Sequence, residues 1–170
     1  MDVLKLMKDR YSCRKFSDKL LTKDQVNNIL EAGRVAPSAK NKQPWRFLVI
    51  ETTEGLNKVG KTSPCRFDAP VAILVSFDKT ASEKNPKVNP DYGWIDCGIA
   101  ISQMALEAEA QGLGSCIVGM YEPDAVRTEF NLPEDFVPYL YLMVGYTDKP
   151  ASHLHTDRLP LSDLVTYESY

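Results

Sequence analysis

The stretch APVAILVSF, residues 69–77, constrains the fold of this chain more than any other. A strand with one wet face alternates apolar and polar residues. This one is apolar and β-branched almost throughout, so both of its faces must be covered. YLYLMVGY at 139–146 has the same character. YGWIDCGIAISQMALEAEAQG, residues 92–112, is apolar on nearly every side up to Leu106, the pattern of a buried helix rather than an amphipathic one. Two doubly covered strands and a buried helix require a layered domain, with helices against a sheet.

The remaining elements fit between these. Val3, Leu6, Met7 and Arg10 fall at helical spacing, followed by an irregular basic connector, RYSCRKFSDKLL. TKDQ at 22–25 reads as a capping box, with Thr22 capping and Gln25 reaching back, before a helix through Val26, Ile29, Leu30 and Gly33. WRFLVI is a strand. TEGLNKVG is a short helix ending at Gly60, and Asp91 is placed to cap the long helix. GLGSCIVGMY is a glycine turn leading into a strand, and EPDAVRTEF is a helix with Pro123 in its first turn. Residues 79–92 have no apolar period and two prolines, the pattern of an exposed loop. From Thr147 the chain is polar and irregular. Without repeats or a linker, residues 1–170 read as a single α+β domain.

A net charge of −3 gives no basic excess to hold nucleic acid or an anionic membrane. The N-terminal MDVLKLMKDR lacks the long apolar core of a signal peptide, and no run approaches the length of a membrane span. Cys13, Cys65, Cys97 and Cys116 are scattered, and the two histidines, His153 and His155, both lie in the tail. That spacing suits reduced thiols, not a metal site, and points to the cytoplasm.

Three stretches carry chemistry. APSAKNKQPWRFLVI, residues 36–50, crowds Ser, Asn, Gln and Lys between a helix and a strand. Its amides suit a heterocycle edge that alternates donors and acceptors. The same residues would also serve as a polar turn. In RYSCR, Arg10, Ser12 and Arg14 alternate and so share one face when extended, which suits a phosphate. A solvated basic patch at a helix end is the alternative. GLGSC carries Gly112 and Gly114 ahead of a strand rather than a helix, which reads as a helix C-cap turning into a strand in preference to a phosphate cradle. There is no GxGxxG, Walker A, GxSxG or HExxH pattern.

The order of these stretches carries more than any one of them. RYSCRKF, then APSAKNKQPWRFLVI, FDAPVAILV, a buried helix ending in GLGSCIVG, and a late DRLP together resemble the nitroreductase family over about residues 1–165. PSxxNxQPW is the most specific part, and the length resembles a compact member. The resemblance implies a central, mainly antiparallel sheet flanked by helices, in an intertwined homodimer with FMN at each subunit interface. It implies that Arg10, Ser12 and Arg14 hold the phosphate and pyrimidine edge, and that Arg158 adds a phosphate contact. Pro37, Ser38, Ala39 and Asn41 would reach the flavin of the partner chain, and Cys116, Ile117, Val118 and Gly119 would lie against its ring system. Many members carry Glu where Val118 aligns and Lys in place of Arg14, and some carry Lys in place of Thr156. These departures bear on nicotinamide and substrate preference.

The activity so implied moves two electrons from NADH or NADPH through flavin N5 to a small-molecule acceptor, a nitroaromatic, quinone or similar compound, in ping-pong order. Arg14 would stabilise negative charge near N1. No side chain need act as nucleophile, since the flavin performs the chemistry. The alternatives are a flavin carrier or sensor without turnover, and an α+β interaction protein whose loop is only a turn. Flavin absorbance rejects the last of these. Bleaching by NADH or NADPH followed by reoxidation separates enzyme from carrier.

Overall fold

The computed structural model describes residues 2–87 and 91–170. A four-stranded sheet lies at its centre, in the order β1-β2-β4-β3, with every neighbouring pair antiparallel. The strands are β1 (Trp45–Ile50), β2 (Val71–Asp78), β3 (Gly114–Val118) and β4 (Phe136–Gly145). The two long apolar runs supply β2 and β4, the inner strands. Their alternate residues serve two cores, as double coverage requires. Val71, Ile73, Val75, Phe77, Leu142 and Val144 face α2 (Lys23–Arg34) and α4 (Gly93–Ala110). Ala72, Leu74, Tyr141 and Met143 face α3 (Thr53–Thr62) and α5 (Pro123–Phe130).

The local signals at helix ends hold, with two corrections. Thr22 and Gln25 form the full capping box of α2, and Pro123 opens α5. The helix expected to stop at Gly60 continues to Thr62. The reason is tertiary: the buried Thr62 hydroxyl bonds Val59 O and Tyr141 Oη, each at 3.0 Å. The residue preceding α4 is Tyr92, already in helical conformation, rather than Asp91. Asp91 Oδ1 nevertheless accepts from the Gly93 amide at 3.0 Å.

A third difference concerns what α4 buries. It was expected to be covered on nearly every side, yet Trp94 and Ile95 are 41% and 49% exposed. No residue of α1 (Val3–Asp9) is buried, and its Val3, Leu4 and Met7 are more than half exposed. Beyond Thr147 the chain makes two 3-10 turns, His153–His155 and Leu161–Asp163, and every residue from 156 to 170 is exposed.

The basic connector is less irregular than its sequence. Ser12 pairs in parallel with Ser115 of β3, and the Cys13 amide donates to Ser115 O at 2.8 Å. Gly114 permits this approach, because a Cβ there would stand 2.8 Å from Thr147 Cγ2 and 3.0 Å from Cys13 Cβ. Of the expected exposed loop at 79–92, residues 88–90 lie outside the described residues. Around them, Lys84 bridges Asp91, and the Tyr92 amide donates to Glu83 O at 3.0 Å.

Candidate cofactor site

Pairing with β3 decides which way the connector's side chains point. Cys13 and Phe16 turn into the core at 2% and 7% exposure. Arg10, Ser12 and Arg14 turn outward and line one cavity of about 210 Å³. The tail closes the other side of it. His155 ring nitrogen Nε2 bonds Lys8 O at 2.7 Å, and its ring lies 6.0 Å from that of Tyr11. That fastening brings Ser152, Leu154 and Arg158 to the cavity wall. Among the described residues, none of the three guanidiniums is in a salt bridge. Arg158 donates to the carbonyls of Leu154 and Asp157, and Arg14 to that of Ser12. Three cations outside any salt bridge, with a hydroxyl around one cavity, form a donor set that suits an anion.

Strand β3 leads away from this cavity. The side chains of Cys116 and Val118 are buried in the second core, whereas Ile117 is 37% exposed and Gly119 is exposed. This stretch therefore offers a ligand the Ile117 side chain and the backbone of its neighbours. Burial pushes the Cys116 thiol up, and the charge of Arg14 pulls it back in part, which puts that guanidinium close to β3. Cys97, in the other core, is pushed up by burial to about 12.

The PSAKN loop is built by its backbone. Lys40, Asn41 and Gln43 have φ of 49°, 55° and 49°, which is left-handed for three non-glycine residues in four. The Gln43 amide donates to Ser38 Oγ at 3.0 Å, Gln43 Nε2 to Asn41 O at 3.2 Å, and the Asn41 amide to Ser38 O at 2.9 Å. The Ala39 amide donates to Asp96 Oδ1 at 3.0 Å. Asn41 is exposed, with no hydrogen bond from its side chain among the described residues, and Pro37 is exposed beside it.

Within one chain these groups are not brought together. Arg10, Ser12, Arg14 and Arg158 share a cavity beside β3. Arg10 and His155 act electrostatically on Glu109, in the last turn of α4. Pro37, Ser38, Ala39 and Asn41 stand by Asp96, in the first turn of α4. Thirteen helical positions separate the two, about 20 Å at 1.5 Å per residue.

Sequence reasoning missed Tyr11, Ser152, His155 and Asp96. The two tail histidines, a few residues before DRLP, were a usable signal for His155. Asp96 gave none, because its partner is an amide 57 positions away. Among the described residues no group of three or more His, Cys, Asp or Glu could hold a metal ion, and no helix is long and apolar enough to cross a membrane.

The arrangement matches known proteins along its whole length. The model of the nitroreductase family matches residues 7–65 and 57–146. A protein of Methanothermobacter thermautotrophicus, provisionally named NADH dehydrogenase/NAD(P)H nitroreductase, is 35% identical over 100% of this chain and 88% of its own. The crystal structure of a nitroreductase family protein from Clostridium difficile superposes with a TM-score of 0.94 at 38% identity, covering 100% of both chains. A provisionally assigned nitroreductase of Exiguobacterium sibiricum, solved in complex with FMN, gives 0.87 at 25% identity over 99% of this chain and 98% of that one. Agreement of sequence and fold from end to end has one meaning: the chain belongs to the nitroreductase family.

Proposed function

We propose that this protein is an FMN-dependent oxidoreductase that takes two electrons from NADH or NADPH and delivers them to a small organic acceptor. One observation carries the reading: three guanidiniums that form no salt bridge among the described residues meet a serine hydroxyl in a cavity of about 210 Å³. That donor set fits a phosphate monoester. Arg10 and Arg158 would neutralise it, Ser12 would donate to it, and Arg14 would turn toward β3 to face the pyrimidine edge. FMN is the bound ligand of the Exiguobacterium sibiricum relative, and NAD(P)H stands in the name of the Methanothermobacter one.

Bound there, FMN would supply the hydride chemistry at N5 that links nicotinamide to a nitroaromatic, quinone or similar acceptor in the proposed ping-pong order. The chain's own part is to bind and orient. Cys116, Val118 and Gly119 would offer backbone along the ring system, Ile117 an apolar side chain, and Arg14 a positive charge that favours the reduced, more negative form of the cofactor.

The working unit in this reading is a homodimer with the cofactor at the subunit interface. Asn41, with Pro37, Ser38 and Ala39 around it, stands about 20 Å along α4 from the arginine cavity and so would serve the cavity of the partner chain. The apolar surface supports this. Leu159, Leu161 and Leu164 of the tail are 62–74% exposed together with Leu154, and Trp94, Ile95, Val3, Leu4 and Met7 add to them. A lone small domain rarely leaves so much apolar surface wet. The cytoplasm, which supplies NAD(P)H and keeps four free cysteines reduced, is the proposed compartment.

The test is optical. Purified protein should carry flavin absorbance that bleaches with NADH or NADPH and returns with a nitroaromatic or quinone. Flavin that does not bleach would make the protein a carrier or sensor instead. Absence of flavin binding would sink the reading altogether.

A further inference from the structure

Asp96 is 2% exposed, yet only half of its carboxylate is used. Oδ1 accepts from the Ala39 amide at 3.0 Å, while Oδ2 is buried with no partner. Its electrostatic neighbour is another acid, Asp91. A buried, half-partnered carboxylate destabilises a fold, even where a helix N-terminus softens the cost. Such a group calls for a reason outside stability.

The loop bonds supply one. Those among Ser38, Ala39, Asn41, Lys42 and Gln43 are internal, so they shape the loop without placing it. Arg46 Nη1 of the adjoining β1 donates to Gln43 O at 3.5 Å, and among the described residues two polar contacts tie the loop to more distant elements. One is the exposed Lys40–Glu83 ion pair at 3.0 Å, the kind that contributes little. The other is Asp96 to Ala39. Three left-handed non-glycine residues make a loop that would relax elsewhere if released.

We propose that Asp96 is the positioning residue of the cofactor site: through the Ala39 amide it fixes the 38–43 loop where Asn41 can reach the flavin held by the partner subunit. The proposal rests on the FMN reading above and assigns the geometry of the shared site to a residue that touches no cofactor.

Three full-length variants test it. Asp96→Leu removes the acceptor, and Asp96→Asn keeps an oxygen for the amide. Ala39→Pro removes the donor, and Ser38, at φ −138° and ψ 158°, already has the extended conformation a following proline requires. FMN dissociation constants come from flavin fluorescence, and thermal midpoints from the apoprotein. Asp96→Leu and Ala39→Pro should each weaken FMN binding by about tenfold, with Asp96→Asn within about threefold of wild type. The double variant Asp96→Leu/Ala39→Pro should bind no worse than either single one, since both delete one bond. The apoprotein midpoint of Asp96→Leu should equal or exceed that of wild type, because the half-partnered carboxylate is gone.

Wild-type affinity in Asp96→Leu would overturn the proposal. So would affinity losses that merely track falling apoprotein midpoints across all three variants. Should Asp96→Leu not fold, Ala39→Pro against Asp96→Asn decides by the same criteria. Arg10→Ala is the separating control: if it too leaves FMN binding unchanged, the FMN reading fails and the proposal with it, whereas a loss there beside an unaffected Asp96→Leu rejects the proposal alone.

Discussion

In the proposed reading, the two ends of α4 would serve the cofactor site by opposite means. At the C-terminal end, long side chains would do the recognition. Arg10, Arg14 and Arg158 line an open cavity with their charges unspent on carboxylates. At the N-terminal end, backbone would do it. Lys40, Asn41 and Gln43 are left-handed within a loop shaped by its own hydrogen bonds, and a buried acid ties it down. The first end is cheap to build and tolerates small displacements, because charge acts over several ångströms. The second must be exact in place, because a neutral amide such as Asn41 recognises only at hydrogen-bond distance. Charge to capture and a rigid loop to orient form a sensible division for a cofactor whose ends are a phosphate and a flat heterocycle. With α4 holding the two about 20 Å apart, each chain of the proposed dimer would apply its cavity to one cofactor and its loop to the other.

Removing residues 151–170 should damage the comparison most. It deletes Arg158 and the exposed apolar tail together. The expected product is a monomer in sedimentation that retains no FMN through gel filtration. A truncated dimer that keeps its flavin would mean that the tail serves neither role. Arg10→Ala follows, losing one charge-assisted contact of roughly 1.5–3 kcal/mol, about 10- to 150-fold in FMN affinity by fluorescence titration.

Gly114→Ala attacks the C-terminal end from beneath. A methyl group 2.8 Å from Thr147 Cγ2 and 3.0 Å from Cys13 Cβ must push the connector off β3. Overpacking of this kind costs about 1–3 kcal/mol, seen as a lower urea midpoint at unchanged slope.

At the other end, burial and nearby Asp91 hold the Asp96 carboxyl above the usual carboxylate range. Its folded value is raised, so its contribution is most favourable below the unfolded value and is lost as pH rises through the folded one. Asp96→Asn lacks that dependence. Its stability should therefore gain on wild type as pH climbs from about 4 toward neutrality. A gap that is flat or shrinks with pH would contradict the assignment.

The smallest effect on FMN is expected from shortening 82–87, which we propose lies beside the open flavin face. Glu83 pairs with Lys40 of the loop, and a cavity of about 400 Å³ lies between the two segments. FMN affinity should hold while the relative kcat/KM values of several nitro and quinone acceptors change. Constant ratios would leave the segment as plain surface.

What could be read from sequence was what neighbours decide. Thr22 and Gln25 settle their capping box within four residues, and β2 and β4 declare their double coverage in continuous apolar runs. The outward alternation of Arg10, Ser12 and Arg14 is equally local. Arg158 came into view only through the order of motifs, because no spacing links it to a cavity more than 140 positions upstream. What stayed hidden was decided at a distance. Thr62 extends α3 because Tyr141 lies beside it, and His155 reaches the cavity because Lys8 O holds its ring. Asp96 looked like one polar break in an apolar helix, and only the folded chain sets it against Ala39. The apolar character of α4 was legible, and with it the difficulty of burying every face in one thin domain, but not which residues, Trp94 and Ile95, would stay exposed.

The central claim, a cofactor site completed by a second copy of the chain, is tested by complementation. Arg10→Ala damages only the cavity and Asn41→Ala only the loop, and mixed dimers can be formed by co-expression with different affinity tags. In a shared site, one of the two sites in each mixed dimer pairs an intact cavity with an intact loop, and the other carries both defects. FMN titration of the purified mixed dimer should therefore recover one wild-type-affinity site per dimer, which neither variant shows alone. If both sites of the mixed dimer keep only the weakened affinities of the parent variants, cavity and loop serve the same chain and the account is wrong.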